Sequence, residues 1–349
     1  MRAAVLTPDH RIATEEVDPP APDPDQVVVA PVLVGLCGSD VSYATKGANG
    51  SFVQQDPMIL GHEVCARLLT DTRVHGINAA AGSLVAVHPL WPSPVAGESV
   101  VRPEHADDRV SFLGSASTHP PTPGGLAEQL AVRPEQLRIL PDGLPAERAV
   151  LAEPLAVVLH GFNRLQRDLT GRRVLVCGAG PIGLLCIVVA AARGAGHIAV
   201  TDLHRRPREL AVTLGADAAV EVPHDSPPTE AYDIAIEATG VWASTRLALD
   251  ALAPEGHLLQ LGMLPREPAP ASLAAVVTKE LTVVGTHRFA GELDEAIAFL
   301  ATHEEAARVV THHVGLEEVD RAIALAADAA RASKVVVHIG GSDLRPRRY

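Results

Sequence analysis

A buried strand that leads into a glycine-rich turn and an apolar helix restricts the possible folds of this chain more than any other segment. Residues 172–177 (RRVLVC) are followed by Gly178-Ala179-Gly180-Pro181-Ile182-Gly183 and then by an Ala/Val/Leu helix. In such a G-x-G-x-x-G pattern, the first glycine allows a tight turn and the second lets a pyrophosphate approach the backbone. The third permits close packing of helix on strand. The segment predicts a dinucleotide site, and a glycine turn of another α/β fold is the alternative.

Strands and helices alternate along the second half of the chain. This alternation is typical of a doubly wound parallel sheet with helices on both faces. The first half differs, with predicted strands at 27–35 and 83–88 and a stretch rich in Pro, Gly and Ser from 89 to 123. The predicted strands of the second half are 172–177, 198–202, 218–222, 233–237, 257–261 and 281–285, with helices at 207–215 and 242–252.

Asp202 ends the predicted strand after the glycine turn, where the fold places an acidic residue against the adenosine ribose. Its carboxylate would accept both ribose hydroxyls and repel a 2′-phosphate, which favours NAD over NADP. Arg205 and Arg206 follow closely and could pair with that phosphate instead. Cofactor-binding residues are therefore predicted at Gly178, Gly180, Pro181, Ile182, Gly183 and Asp202.

Length and charge narrow the class of protein. The 349 residues are enough for two domains, and a net charge of −13 argues against nucleic acid or an anionic membrane as a partner. No apolar run reaches the ~18 residues of a membrane span, and the N-terminus lacks the apolar core of a signal peptide. We expect a cytoplasmic protein that acts on a small molecule.

Cys37, His62 and Glu63 supply a thiolate, an imidazole and a carboxylate. A catalytic zinc keeps three protein ligands of these types and leaves one position open, whereas a structural zinc closes with four. With sixteen histidines in the chain, chance pairs are common, so a buried cysteine and a capping histidine remain an alternative. Together with the dinucleotide motif, the trio predicts a site that combines zinc and nicotinamide chemistry.

Four ordered motifs resemble the zinc-dependent medium-chain dehydrogenase/reductase superfamily. They are CGSD (37–40), GHE (61–63), AEP (152–154) and GAGPIG (178–183). The phrases FLGSAS, EPLAV, GTHRF and ASKVVV are similar to those of its polyol branch, sorbitol dehydrogenase and L-idonate 5-dehydrogenase. The resemblance implies a Rossmann domain (152–286) inserted in a mainly β, GroES-like catalytic domain (1–151 and 287–349).

The resemblance also assigns roles to single residues. It implies zinc ligands at Cys37, His62 and Glu63, with Glu153 close to the metal or reaching it through water. Ser39 matches the hydroxyl that starts the proton path from substrate to solvent. Tyr43 and Arg288 match positions that line the substrate pocket, where a phenol and a guanidinium suit a polyol or a carboxylate. The alternatives are a rim aromatic for Tyr43 and a surface ion pair for Arg288.

One departure from the family concerns a second, structural zinc that many members hold on four cysteines. Residues 66–176 contain no cysteine, so we expect one catalytic zinc only, with a proline-rich segment around Trp91 to Pro103 in place of the lobe. Relatives are usually dimers or tetramers, and the strand at 281–285 is a plausible edge for pairing between copies.

The sequence therefore predicts an NAD- and zinc-dependent enzyme that oxidises a secondary alcohol of a polyol or sugar acid to a ketone. A cyclitol or an amino-alcohol such as threonine is an alternative substrate. A metal-free nicotinamide-binding protein is a remote alternative from another functional class.

Overall fold

The computed structural model describes residues 1–91, 111–265 and 273–340. Most of the proline-rich segment predicted to replace a zinc lobe lies outside these residues. The chain divides into two units. Unit 1 comprises Met1–Glu153, Leu293–Asp328 and the last strand from Lys334, and unit 2 comprises Pro154–Glu292 and Ala329–Ser333. The divisions fall a few residues after the predicted boundaries at 151/152 and 286/287.

Unit 1 is mainly β-structure. Its largest sheet has the order β14-β10-β7-β3-β22-β21, with β13 also pairing with β3, and a second sheet has the order β2-β1-β6. The remaining strands form two-stranded pairs. The strands are β1 (Arg2–Leu6), β2 (Ile12–Glu16), β3 (Val27–Gly35), β4 (Ala48–Asn49), β5 (Phe52–Val53), β6 (Met58–Ile59), β7 (Glu63–Leu68), β8 (Thr72–Val74), β9 (Ile77–Ala79), β10 (Leu84–Val87), β11 (Leu90–Trp91), β12 (Ser111–Phe112), β13 (Leu130–Val132), β14 (Leu137–Ile139), β21 (Val310–Gly315) and β22 (Lys334–His338).

Pairing in the large sheet brings distant parts of the chain together. Gly35 at the end of β3 is opposite Glu63 at the start of β7, and Val336 of β22 is opposite Gly35 on its other side. The run VVVAPVLVG of β3 is buried over most of its length, and strands pair with it along both edges. One end of the sheet therefore brings together the end of β3, the start of β7 and the start of β22.

Helices of unit 1 follow or cover these strands. They are α1 (Gly38–Lys46), α2 (Ala146–Ala149), α8 (Leu293–Thr302) and α9 (Val319–Ala327), with 3₁₀ turns at Pro134–Gln136, Glu304–Val309 and Leu316–Glu318. Helix α3 (Ala152–Leu165) begins at the end of unit 1 and continues into unit 2.

Unit 2 contains a six-stranded sheet in the order β17-β16-β15-β18-β19-β20, and every adjacent pair is parallel. This is the doubly wound order that the glycine motif predicts, with its switch point between β15 and β18. The elements are β15 (Arg173–Cys177), α4 (Pro181–Ala192), β16 (His197–Asp202), α5 (Arg205–Thr213), β17 (Ala218–Glu221), β18 (Tyr232–Glu237), α6 (Trp242–Ala251), β19 (Leu252–Gln260), α7 (Ala274–Thr278) and β20 (Thr282–Gly285).

Two elements of unit 2 start two or more residues earlier than the sequence predicts. Helix α5 begins at Arg205 rather than Pro207, because a proline in the first helical turn needs no N–H partner. Strand β19 begins at Leu252 rather than His257, because Leu252 already pairs with Tyr232 before an irregularity shifts the register. Among the described residues, no helix has the length and apolar character that crossing a bilayer requires.

Candidate active site

Cys37, His62 and Glu63 converge in unit 1. Cys37 is the N-cap of α1, directly after β3, and Glu63 opens β7 with His62 just before it. One ligand atom from each lies within 4.8 Å of those from the other two. A tetrahedral zinc with bonds of about 2.0–2.3 Å separates its ligand atoms by roughly 3.4–3.8 Å. The donor set and its spacing therefore fit zinc after small side-chain movements.

Asp40 supports this trio from the first turn of α1. Its carboxylate accepts hydrogen bonds from the Cys37 N–H at 2.8 Å and the Gly61 N–H at 3.1 Å, so it fixes both backbone segments that carry ligands. Its Oδ1 lies 3.9 Å from Nδ1 of His62. Burial acts to lower the pKa of His62, but the charge of Asp40 and the contact with Cys37 raise it to about 10. An anchored His ring with a carboxylate behind it is typical of zinc ligands.

Lys334 binds the third ligand. Its Nζ lies 2.5 Å from Oε1 and 2.7 Å from Oε2 of Glu63, and it also donates to the Leu36 carbonyl oxygen at 2.9 Å. Burial acts to lower the pKa of Lys334, but the charges of Glu63 and Cys37 raise it, so the ammonium form is favoured. Gly35 is required here, since a Cβ at that position would overlap the Glu63 carboxylate.

Glu153 lies in the first turn of α3 and is buried. Burial raises its pKa to about 7, and the nearby carboxylates of Glu63 and Asp40 act in the same direction, while His62 and Lys334 oppose them. A carboxyl group with a pKa near neutrality can exchange protons at working pH. The charge of Glu153 raises the pKa of His62, and the charge of Glu63 raises the pKa of Glu153, so Glu153 lies near both side chains. Glu153 is not one of the three converging ligands.

Tyr43 is buried in unit 1, with 1% of its surface exposed. Its hydroxyl accepts a hydrogen bond from the Ala116 N–H at 3.1 Å and shares another with Ser115 Oγ at 3.2 Å. In this arrangement Tyr43 orders the segment that follows β12, and its contact with substrate stays a prediction. Ser39 is half-buried in the first turn of α1, close in sequence to Cys37.

The segment ordered by Tyr43 borders a cavity of about 500 Å³ in unit 1. Polar side chains from two segments contribute to its wall, and Val53 and Pro121 are its larger apolar components. Such a lining offers several hydrogen-bond partners to a hydroxylated molecule. The polar lining residues are Gln55, Ser117, Thr118 and His119.

The glycine turn of unit 2 has the geometry that a dinucleotide requires. Gly178 has a φ of +99°, a left-handed conformation that favours glycine. Gly180 caps α4, and a Cβ there would meet no atom within 4 Å, which leaves its backbone accessible to a phosphate. Pro181 and Ile182 begin α4. A Cβ at Gly183 would overlap the Gly178 carbonyl oxygen, so helix and turn pack directly.

Asp202 connects this turn to the end of β16. Its Oδ2 accepts the Ala179 N–H and its Oδ1 accepts the His204 N–H, both at 2.8 Å. Each carboxylate oxygen retains a second lone pair, so the side chain can still accept ribose hydroxyls. Of the two nearby arginines, Arg205 pairs with Glu209 at 2.7 Å.

Arg288 lies in unit 2, in the segment that follows β20. Its φ of +54° is a conformation that residues other than glycine seldom adopt. The next residues, Phe289 and Ala290, are buried. The segment therefore has a defined conformation at the predicted substrate-binding arginine.

Sequence reasoning missed Asp40 and Lys334. The Asp40 signal was available, because an acidic residue three positions after a helix N-cap is typical of a capping box. Lys334 gave no such signal, since a lysine at the start of an apolar strand normally faces solvent. Only the pairing of β22 with β3 brings it to Glu63.

Two family models match the chain. Residues 23–142 match the alcohol dehydrogenase GroES-like domain, and residues 181–302 match the zinc-binding dehydrogenase domain. The two models together span both units. They confirm the predicted fold class, a Rossmann sheet combined with a mainly β, GroES-like domain.

Curated relatives and solved structures agree with the family models. The chain is 32% identical over 311 residues to the sorbitol dehydrogenase of Bos taurus, with 85% of each chain covered. It is also 32% identical over 315 residues to the probable D-xylulose reductase A of Emericella nidulans, again with 85% covered. The crystal structure of L-idonate 5-dehydrogenase from Escherichia coli superposes with a TM-score of 0.83 at 26% identity. That match covers 97% of this chain and 98% of the other.

Proposed function

Because the chain belongs to the polyol branch of the zinc-dependent medium-chain dehydrogenase/reductase superfamily, we propose that it oxidises a secondary alcohol of a polyol or sugar acid to a ketone, with NAD as hydride acceptor. The observation that carries this proposal is the convergence of Cys37, His62 and Glu63 within 4.8 Å. A sugar acid of the L-idonate type is the favoured substrate, because Arg288 offers a guanidinium for its carboxylate.

We assign the metal to these three side chains, with the carboxyl group of Glu153 beside them as a fourth polar group. When bound, zinc supplies a Lewis acid that lowers the pKa of a coordinated alcohol, as it lowers the pKa of bound water to about 7. Asp40 places a carboxylate 3.9 Å from Nδ1 of His62, and Lys334 balances the charge of Glu63. One zinc per chain is expected, because with Cys37 in use only three cysteines remain, too few for the four-cysteine structural site that many members hold.

Ser39 and Glu153 are proposed to handle the substrate proton. Ser39 is half-buried on α1 and can pass a proton from substrate towards solvent. Burial raises the pKa of Glu153 to about 7, so this carboxyl group can accept or release a proton near neutral pH.

NAD is proposed over NADP on the basis of Asp202. Its carboxylate is held by two backbone N–H groups at the end of β16, where a 2′-phosphate would be repelled. Pairing with Glu209 occupies Arg205, which reduces its use as a phosphate ligand.

A dimer or tetramer is proposed for the assembly. Strand β20 forms the edge of the unit 2 sheet and leaves Val283 about half exposed. Val277 of the neighbouring α7 is 76% exposed. An apolar sheet edge of this kind suits pairing with a second copy of the chain.

The test combines metal content with a substrate panel. Purified protein should contain one zinc per chain and reduce NAD with L-idonate or with a neutral polyol such as sorbitol or xylitol. Turnover only with a cyclitol or with L-threonine would instead support the alternative substrate class. Tight NAD binding without metal and without turnover would contradict the enzyme proposal.

Two matched cysteine variants test whether turnover depends on the metal. Cys37→Ser should lose zinc and at least about 10³-fold of kcat/KM, since the metal contributes several kcal/mol to the reaction. Cys65→Ser is the control, because Cys65 is buried in the same unit but is not among the converging ligands. Equal zinc content and turnover in both variants would contradict the assignment.

A further inference from the structure

A largely buried hydrogen bond outside the predicted site joins two residues that are 132 positions apart. Nδ1 of His160 lies 2.9 Å from Oε1 of Glu292, and both side chains are largely buried. His160 belongs to α3, and Glu292 ends the segment that follows β20. The second carboxylate oxygen of Glu292 accepts the Ala290 N–H at 2.8 Å. Both oxygens of Glu292 are therefore used to fix the end of this segment.

Helix α3 also holds the start of the same segment. Nε of Arg164 donates to the Gly285 carbonyl oxygen at 2.9 Å. Arg164 is four residues after His160, so the two side chains lie on one face of the helix. One face of α3 therefore binds both ends of residues 285–292.

Arg288 lies between these two anchor points in a left-handed conformation with a φ of +54°. A residue other than glycine is strained in this region and persists there only where its surroundings fix it. The flanking Phe289 and Ala290 are buried, which is consistent with a fixed segment. The anchors on α3 supply the constraint that this conformation requires.

The charge state of Glu292 is consistent with a role in fixing residues 285–292. Burial acts to raise the pKa of Glu292, but the hydrogen bonds from His160 and from the Ala290 N–H lower it. Glu292 is therefore an ionised carboxylate to which Nδ1 of His160 donates. Charge-assisted hydrogen bonds of this type are stronger than neutral ones.

We propose that His160 and Glu292 are positioning residues that hold Arg288 in the conformation in which it receives the polar or anionic groups of the substrate. The inference rests on the proposed function, in which Arg288 contacts substrate. Neither His160 nor Glu292 takes part in hydride or proton transfer. Their contribution is to substrate binding, through the backbone of residues 285–292.

Limited proteolysis tests the positioning without any turnover. Trypsin cleaves after arginine, and cleavage requires local release of the backbone. Glu292→Ala should increase the rate of cleavage after Arg288 by about tenfold or more, because one charged hydrogen-bonding anchor is lost. Glu292→Gln retains one acceptor oxygen, which can accept from either His160 or the Ala290 N–H but not both, so it should recover only part of the resistance. Unchanged cleavage in Glu292→Ala would overturn the proposal.

Kinetics test the consequence for substrate. Glu292→Ala should raise KM for the substrate about tenfold, with kcat and the Kd of NAD within about twofold of the wild type. In an Arg288→Ala background, the same change should alter KM by less than twofold, because the two residues act through one interaction. Additive effects in this cycle would overturn the proposal.

Asp233→Ala is the matched control within unit 2. Asp233 is also a carboxylate that accepts a backbone N–H, that of Arg173 at 2.8 Å. This variant should leave KM and cleavage after Arg288 unchanged, and an equal rise of KM in it would overturn the proposal. If the wild type turns over no polyol or sugar acid, the proposed function fails, while the proteolysis result still decides whether Glu292 positions Arg288.

Discussion

The ammonium group of Lys334 lies 2.5 Å from Oε1 and 2.7 Å from Oε2 of Glu63, and both side chains are almost fully buried. Glu63 is also one of the three converging ligands of the proposed zinc site. A carboxylate in this position has two cationic partners available, the ammonium group and the metal. In the metal-free protein, Lys334 supplies the direct cationic contact to the Glu63 carboxylate.

Lys334→Met should destabilise the metal-free protein more than the zinc-loaded protein. Removing one partner of a buried ion pair costs about 3–5 kcal/mol, because the other charge is left uncompensated. Zinc supplies positive charge to Glu63, so it should raise the Tm of the variant more than that of the wild type. Thermal unfolding with and without zinc measures the difference.

Lys279→Met provides the control for this prediction. Lys279 is also mostly buried, and it donates to the carbonyl oxygens of Leu249, Asp250 and Leu252 in unit 2. Its loss should lower Tm equally with and without zinc. A zinc response of Lys334→Met no larger than that of Lys279→Met would contradict the role given to Lys334.

Zinc binding should strengthen with rising pH because of His62. Asp40 and Cys37 raise the pKa of His62 to about 10 against the effect of burial, whereas only neutral imidazole binds metal. Between pH 7 and 9 the affinity should rise about tenfold per pH unit from this group alone. Chelator competition at several pH values measures it, and a pH-independent Kd would exclude the mechanism.

The stability of the metal-free protein should show the opposite trend. The pKa of His62 is higher in the folded state than its unfolded value of about 6.5, so protonation of His62 stabilises the folded state. This stabilising contribution is fully present below about pH 6.5 and is lost as the pH rises through about 10. Denaturant unfolding of the metal-free protein between pH 6 and 10 measures it, with Asp40→Asn as the variant in which the decrease should be smaller.

Two alanine substitutions in the glycine turn should separate binding from folding. Gly180→Ala meets open space, so Tm should change little while the Kd of NAD rises at least tenfold, because the Cβ blocks the phosphate. Gly183→Ala would overlap the Gly178 carbonyl oxygen and should cost about 1–3 kcal/mol of stability. Calorimetry for Tm and titration for Kd measure both effects. Equal loss of stability in the two variants would contradict the separate roles of Gly180 in phosphate access and Gly183 in packing.

Asp202→Asn should reduce the preference for NAD over NADP by about tenfold, because the charge that repels a 2′-phosphate is removed. Arg205→Ala should change the ratio of the two Kd values by less than twofold, since Arg205 pairs with Glu209. Fluorescence titration with both nucleotides measures the ratios. Tighter binding of NADP than NAD by the wild type would reject the assignment.

Local patterns in the sequence predicted the elements whose signals lie close together in the chain. The run 172–177, the glycine turn and Asp202 follow one another within about thirty residues, so spacing and periodicity predicted the parallel sheet and its dinucleotide turn. The motifs at Cys37 and at His62-Glu63 indicated the metal ligands through residue type. The predicted helix starting at Pro207 and the strand starting at His257 were wrong at their first residues, because backbone pairing and first-turn geometry decide such ends.

Which distant side chains support the site depends on contacts that form only when the chain folds. Lys334 reaches Glu63 because β22 pairs with β3, and His160 reaches Glu292 because β20 and the segment after it return to α3. These contacts join residues that are 271 and 132 positions apart, and no local pattern encodes such pairings. The burial of Tyr43 and its hydrogen bond with Ser115 also depend on contacts between distant parts of the chain. Burial, partner choice and charge compensation depend on what the folded chain brings together, which is why they became visible only in three dimensions.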